Sequence, residues 1–213
     1  MALEHEYALL GGFNRSHLGR WLGVFSATVS SVMVFLVLAA VDFARLLGVS
    51  VNLPPMALTL VGAGAVYAAV YWLFDTQIWK VPFVGALLKV PNLAGTWSCE
   101  GEGLDQKPHV KWSGTLTIVQ SWDRIRVHLV TTQSESHSVA AALLHDAAAG
   151  YRLMYHYRNA PKVGEEALAP HHGFAELVFE PGEKAASGEY FNGRGRNTFG
   201  RMRLTRSTVA KAG

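Results

Sequence analysis

Tyr190, Asn192, Arg194, Arg196 and Thr198 fall in one glycine-spaced stretch between Gly188 and Gly200. Guanidinium forks pair well with phosphates, and N–H groups of a glycine-rich turn add anion contacts. A tyrosine ring beside them offers a stacking face for a nucleobase. Trp112, Tyr151, Tyr155 and Tyr157 form a second aromatic group. Together the two groups suit a planar, anionic ligand. The same residue types also suit a solvated hairpin tip and a filled core, and residue type alone does not separate these readings.

Other chemistry has no frame in the chain. There is no Gly-x-Ser-x-Gly, no His-Glu-x-x-His and no phosphate-binding loop opening a helix. His171 and His172 are adjacent, and neighbours on a strand point to opposite faces, so they converge poorly on one ion. Cys99 is the single cysteine, which removes a disulfide framework and a cysteine zinc site. A net charge of +3 is too small for a duplex nucleic-acid binder. We therefore expect a binding protein rather than an enzyme, with no metal and no cofactor.

The elements that must position these residues are strands. From Leu93 onward, runs of β-formers alternate with turn signals. Eight strands are expected: Ala94–Gly101, Lys111–Gln120, Arg124–Thr132, Ser136–His145, Tyr151–Asn159, Gly173–Glu180, Ala186–Asn192 and Thr198–Arg206. Trp112, Gly114, Leu116 and Ile118 share one face against Lys111, Ser113, Thr115 and Thr117. Such alternation gives one wet and one buried face per strand. Eight hairpin-linked strands close most simply into an antiparallel up-and-down barrel, a sandwich being the alternative. Gly95-Thr96-Trp97 resembles the lipocalin start, in which the Trp plugs the closed end and an arginine of the last strand packs on it. Gly95 and Trp97 are thus the expected plug, with Arg201, Arg203 or Arg206 as the partner.

Before the barrel, Trp21–Val41 and Pro55–Phe74 run without a charged residue. A bilayer core takes about 20 apolar residues to cross as a helix. The first run is longer than a signal-peptide core, and a second follows it. Two transmembrane helices are therefore expected. Arg15 and Arg20 before the pair, with Lys80 and Lys89 after it, place both termini and the barrel in the cytoplasm. Trp21, Tyr71, Trp72 and Trp79 read as interfacial anchors. Gly23, Ala27 and Ser31 line one helix face, and Gly64 and Ala68 another. Small residues let helices approach closely in lipid, within the hairpin or between protomers. The expected organisation is an N-terminal segment 1–20, a membrane hairpin 21–75, a connector 76–92, a ligand-sensing barrel 93–207 and a tail 208–213. In the connector, Ile78, Trp79, Phe83, Leu87 and Leu88 are candidates for the membrane surface.

This layout, the Pro91–Trp97 entry and the closing set Gly188, Tyr190, Asn192, Thr198 and Gly200 resemble the SMODS-associated two-transmembrane β-strand-rich effectors of bacterial CBASS antiphage signalling. The resemblance implies a cyclic dinucleotide ligand made by a cognate nucleotidyltransferase. It further implies self-association of the transmembrane segments, disruption of the inner membrane and death of the infected cell. A membrane-tethered lipocalin-like carrier of an apolar ligand is the alternative.

Overall fold

The computed structural model describes residues 4–50, 54, 56, 62–105, 107–165, 168–193 and 196–207. They divide into two units, one from Met1–Gly12 with Pro82–Gly213 and one from Phe13–Val81.

The second unit is helical. Helix α1 spans Arg15–Leu46, 32 residues, longer at both ends than the charge-free run inside it. Asn14 caps it: its Oδ1 accepts the Ser16 N–H at 2.9 Å, satisfying one of the orphan donors of the first turn. Arg45 sits in the last turn, where the helix dipole favours a cation, and pairs with Asp42 at 3.2 Å. Among the described residues α1 is the one helix long and apolar enough to cross a membrane. Helix α2 spans Ala63–Thr76. Much of the first half of the second apolar run lies outside the described residues. The two helices pack on each other, and the buried positions of α1 are Ser26 and Ser30. Ala27, Ser31, Gly64 and Ala68 are exposed, and Gly23 is half-buried. Trp79, expected as an interfacial anchor, is instead fully buried in a 3-10 turn, Ile78–Lys80. Its Nε1 donates to the Asp75 carbonyl at 2.7 Å.

The first unit is a closed antiparallel barrel with an extra strand. Strand β1 covers His5–Leu10. After a short helix α3, Pro82–Leu88, come β2 Gly95–Gly103, β3 Val110–Gln120, β4 Arg124–Thr131 and β5 Ser134–Asp146. Then follow β6 Gly150–Pro161, β7 His171–Phe179, β8 Ala185–Gly193 and β9 Phe199–Arg206. From β2 onward each strand pairs with the next, and β9 returns to β2 from Trp97↔Arg206 to Gly103↔Gly200. Leu88 is buried, while Phe83 and Leu87 stay exposed.

One half of the barrel is filled. Trp97, Leu116, Ile118, Ile125, Leu153, Leu177 and Leu204 are almost wholly buried there. The Trp97 indole meets Phe179 edge-on at 5.6 Å and donates from Nε1 to the Leu93 carbonyl. Of the three candidate arginines, Arg206 lies over the indole, at 4.6 Å. Arg201 pairs instead with Glu102, and Arg203 with Glu180. Gly95 takes φ +139°, a backbone region that disfavours side chains, where the chain turns into β2.

The expectation of eight strands is corrected to nine among the described residues. The sheet forks between β4 and β5, which pair directly only from His128↔His137 to Val130↔Glu135. Beyond that point β1 fills the gap, antiparallel to β4 and parallel to β5, and there β5 carries a bulge against β6 at Ser138/Ala140. At the fork, Ser138 Oγ accepts the buried Val127 N–H at 2.9 Å and lies 2.7 Å from His5 Nε2. Tyr7 is buried, donates to the Ser121 carbonyl and accepts from the Gln120 amide. Trp122, in the turn between β3 and β4, is also buried.

Ser138→Ala leaves the Val127 N–H without its acceptor, at an expected cost of about 1–3 kcal/mol in urea unfolding of the full chain. His5→Ala should cost less, because the hydroxyl still takes that N–H. Equal losses would mean that the hydroxyl acts mainly through His5.

Candidate ligand-binding cavity

The other half of the barrel is open. A cavity of about 530 Å³ runs into it, within the range of small-molecule sites. Three cross-strand pairs make the room. Gly101 pairs with Trp112, Gly200 with Tyr190 and Gly173 with Tyr157. A Cβ on Gly101 would fall 2.1 Å from the Trp112 indole. On Gly200 it would fall 2.6 Å from the Tyr190 hydroxyl, and on Gly173 2.4 Å from the Tyr157 ring. Each ring therefore lies over a neighbouring strand that carries no side chain, and rests against the wall instead of crossing the lumen.

Hydrogen bonds fix the rings. Trp112 Nε1 donates to Tyr190 Oη at 3.0 Å, and the two rings meet edge to face at 5.7 Å. Tyr157 Oη donates to Asn192 Oδ1, and Asn192 Nδ2 donates to Thr198 Oγ1, both at 2.6 Å. Burial pushes the hydroxyl pKa of Tyr155, Tyr157 and Tyr190 up, so all three rings stay neutral at physiological pH. They present no charge to an anion.

The facing wall is polar and small. Thr131, Ser134 and Ser136 line it from β4 and β5, with Asn159 of β6 beside them. Asn159 Nδ2 donates to Ser134 Oγ at 2.9 Å. The rim carries Arg196, Asp105 and Glu165, and Gln133 Nε2 donates to Glu165 at 3.2 Å. Arg196 is the one arginine or lysine that lines the cavity among the described residues. The arrangement offers ring faces, hydroxyl and amide groups, and a guanidinium at the entrance.

Seven of the expected residues meet here: Trp112, Tyr155, Tyr157, Tyr190, Asn192, Arg196 and Thr198. Tyr151 does not. It shares a strand face with Tyr155 but stands at the far end of β6, its ring against His145 at 5.0 Å. Arg194 lies outside the described residues. His171 and His172 part as their adjacency requires, one lining the cavity and one stacked outside on His156 at 5.3 Å. Burial first, and then Glu100, pushes the Cys99 thiol up to about 12, so it stays protonated.

Residues 88–206 match the family described as Cap15, cyclic dinucleotide receptor domain, and residues 16–80 match Cap15, TM helices. The CD-NTase-associated protein 15 of Yersinia aleksiciae is 41% identical over 203 residues, covering 95% of this chain and 97% of the relative. The chain belongs to the Cap15 family. It is thereby a member of the two-transmembrane CBASS effectors that its layout resembles. The Cap15 receptor match takes in every cavity-lining residue named above, and the Cap15 helix match takes in α2 and all of α1 but Arg15. Strand β1 precedes both.

Gly101→Ala is expected to force the Trp112 indole off the wall and destabilise the chain by about 1–3 kcal/mol. Adding Trp112→Leu should recover part of that loss, read as a coupling energy in a double-mutant cycle. Strictly additive losses would separate the glycine from the ring.

Proposed function

We propose that the cavity receives one cyclic dinucleotide, made by a cognate nucleotidyltransferase after phage infection. The barrel acts as receptor and carries out no catalysis. The observation that carries this reading is the glycine-backed aromatic wall with Arg196 at its entrance. Flat rings stack on bases whatever the sequence, and a guanidinium pairs with a phosphodiester. The polar wall of Ser134, Ser136 and Asn159 favours such a ligand over an apolar one, which would leave the buried Asn159 Oδ1 without a hydrogen bond.

In this reading the second apolar run also spans the membrane, and both termini and the barrel face the cytoplasm. Occupancy promotes self-association of the spans in the inner membrane, which loses its barrier, and the infected cell dies. The exposed small residues Ala27, Ser31, Gly64 and Ala68 suit contact between protomers, because they stand outside the α1–α2 contact.

Calorimetric titration of the detergent-solubilised full chain with a panel of 3′,3′-cyclic dinucleotides tests the receptor. We expect at least one member to bind, and Tyr190→Ala to weaken it by about 1–3 kcal/mol, roughly 5- to 150-fold. Silence across the whole panel would overturn the reading. Exchanging residues 16–80 for an unrelated two-span anchor should keep binding and abolish killing on co-expression with the synthase. Killing by that chimera would reduce the spans to a tether.

A further inference from the structure

A ligand with two phosphodiesters brings two negative charges into a cavity in which Arg196 is the one described arginine or lysine. His171 is the other described basic side chain that lines it. It opens β7, is 5% exposed, and takes the inward position opposite Asn159. Its Nδ1 lies 2.9 Å from the Ala169 carbonyl, which can only accept, so Nδ1 carries a hydrogen. That leaves Nε2 as the nitrogen that gains or loses a proton. We propose that His171 is a second anion contact of this cavity and engages the ligand as an imidazolium, so that binding takes up a proton. The inference rests on the cyclic dinucleotide reading and adds a residue and a pH dependence to it.

The surroundings decide the sign. Arg196 faces the cavity from the β8–β9 turn, and His172 follows on the same strand with its ring outside. Tyr157 of β6 and Tyr190 of β8 stay protonated, and Asn192 contributes an amide. Glu165, from the loop after β6, and Asp105, from the loop after β2, stand on the rim. In the empty cavity, burial first, and Arg196 and His172 among the charges, hold the His171 pKa below its ordinary value. The Ala169 and Asn192 contacts oppose this without reversing it. The empty site therefore holds a neutral ring at neutral pH. A dianion in contact with Arg196 removes the repulsion and supplies an attraction, which raises the pKa in the bound state. Affinity must then rise as pH falls between the two pKa values, by up to about tenfold per pH unit for one proton.

The test is calorimetry on the full chain between pH 5.5 and 8.0, in buffers of different ionisation enthalpy. The probes are the 3′,3′-linked dinucleotides cyclic di-AMP, cyclic di-GMP, cyclic di-UMP and the mixed forms. For each probe that binds we expect net proton uptake and tighter binding at lower pH. Both should vanish in His171→Asn, while binding at pH 8.0 changes by less than the pH effect itself. His171→Gln repeats the measurement should the Asn variant fold poorly. His172→Asn should retain the uptake, because that ring is outside. Binding without proton uptake, or uptake that survives loss of His171 or disappears with His172, overturns the inference and leaves the receptor reading intact. No binding by any probe at any pH overturns the receptor reading and this inference with it.

Discussion

A barrel of eight or nine hydrogen-bonded strands has interior room for side chains or for one small ligand, and not for both at the same level. Everything in this molecule follows from how that room is divided. In the closed half, Leu116, Ile118, Leu153, Leu177 and Leu204 are almost wholly buried, as is Trp97. In the open half, Gly101, Gly173 and Gly200 stand where further large side chains would stand. The aromatic partners then spread sideways over neighbouring strands. Glycine in a strand interior costs local stability. Here the lost contacts are replaced by ring faces and by the Trp112–Tyr190 hydrogen bond, so the cavity exists without an unpacked wall.

The same division sets the electrostatics. The phenols are buried enough to stay neutral yet keep hydroxyls with partners: Tyr190 accepts from the Trp112 indole and Tyr157 donates to Asn192. The strong charges lie on the rim or outside, where Arg201 pairs with Glu102 and Arg152 with Glu176. In the proposed reading such a chamber would hold its ligand by stacking and hydrogen bonds and draw it by one guanidinium at the entrance. It does not rely on a dense cluster of cations. The protonation of His171 is where such a chamber can adjust its charge to a dianion without keeping a buried cation when empty, which would be costly.

Most of the barrel was legible because strand alternation is local. The inward set of β3 follows from alternation, whereas the plug at Trp97 and an arginine over it from the last strand came with the resemblance of Gly95-Thr96-Trp97 to the lipocalin start. What escaped depends on register between distant strands. Gly101 and Trp112 flank a turn, but Gly173 and Tyr157, or Gly200 and Tyr190, show their relation only when strands are aligned. Tyr151 has the same parity as Tyr155 and Tyr157, and parity gives the face but not the depth. Ser134 and Ser136 alternate as an outward polar row would, and they face inward because the cavity, not a core, is their neighbour. Strand β1 carries a charge and a histidine in six residues, and its one buried side chain, Tyr7, makes no pattern by itself.

That strand has a consequence for what counts as the receptor. The family's receptor match begins at residue 88, yet the fork between β4 and β5 is filled by residues 5–10. A barrel without them would present the N–H and C=O groups of the lower part of β5 as an open edge, the situation that invites pairing with another chain. It would also remove Tyr7 from the Gln120 amide and His5 from Ser138. Four residues, Gly11–Asn14, separate β1 from α1, so the strand that completes the barrel and the longest apolar helix are nearly one piece of chain. The bulge at Ser138 and the polar wall at Ser134 and Ser136 lie on the same strand, β5. The cavity wall and the fork thus share the β1–β5 pair, and a receptor cut at residue 88 would lack one of its two strands.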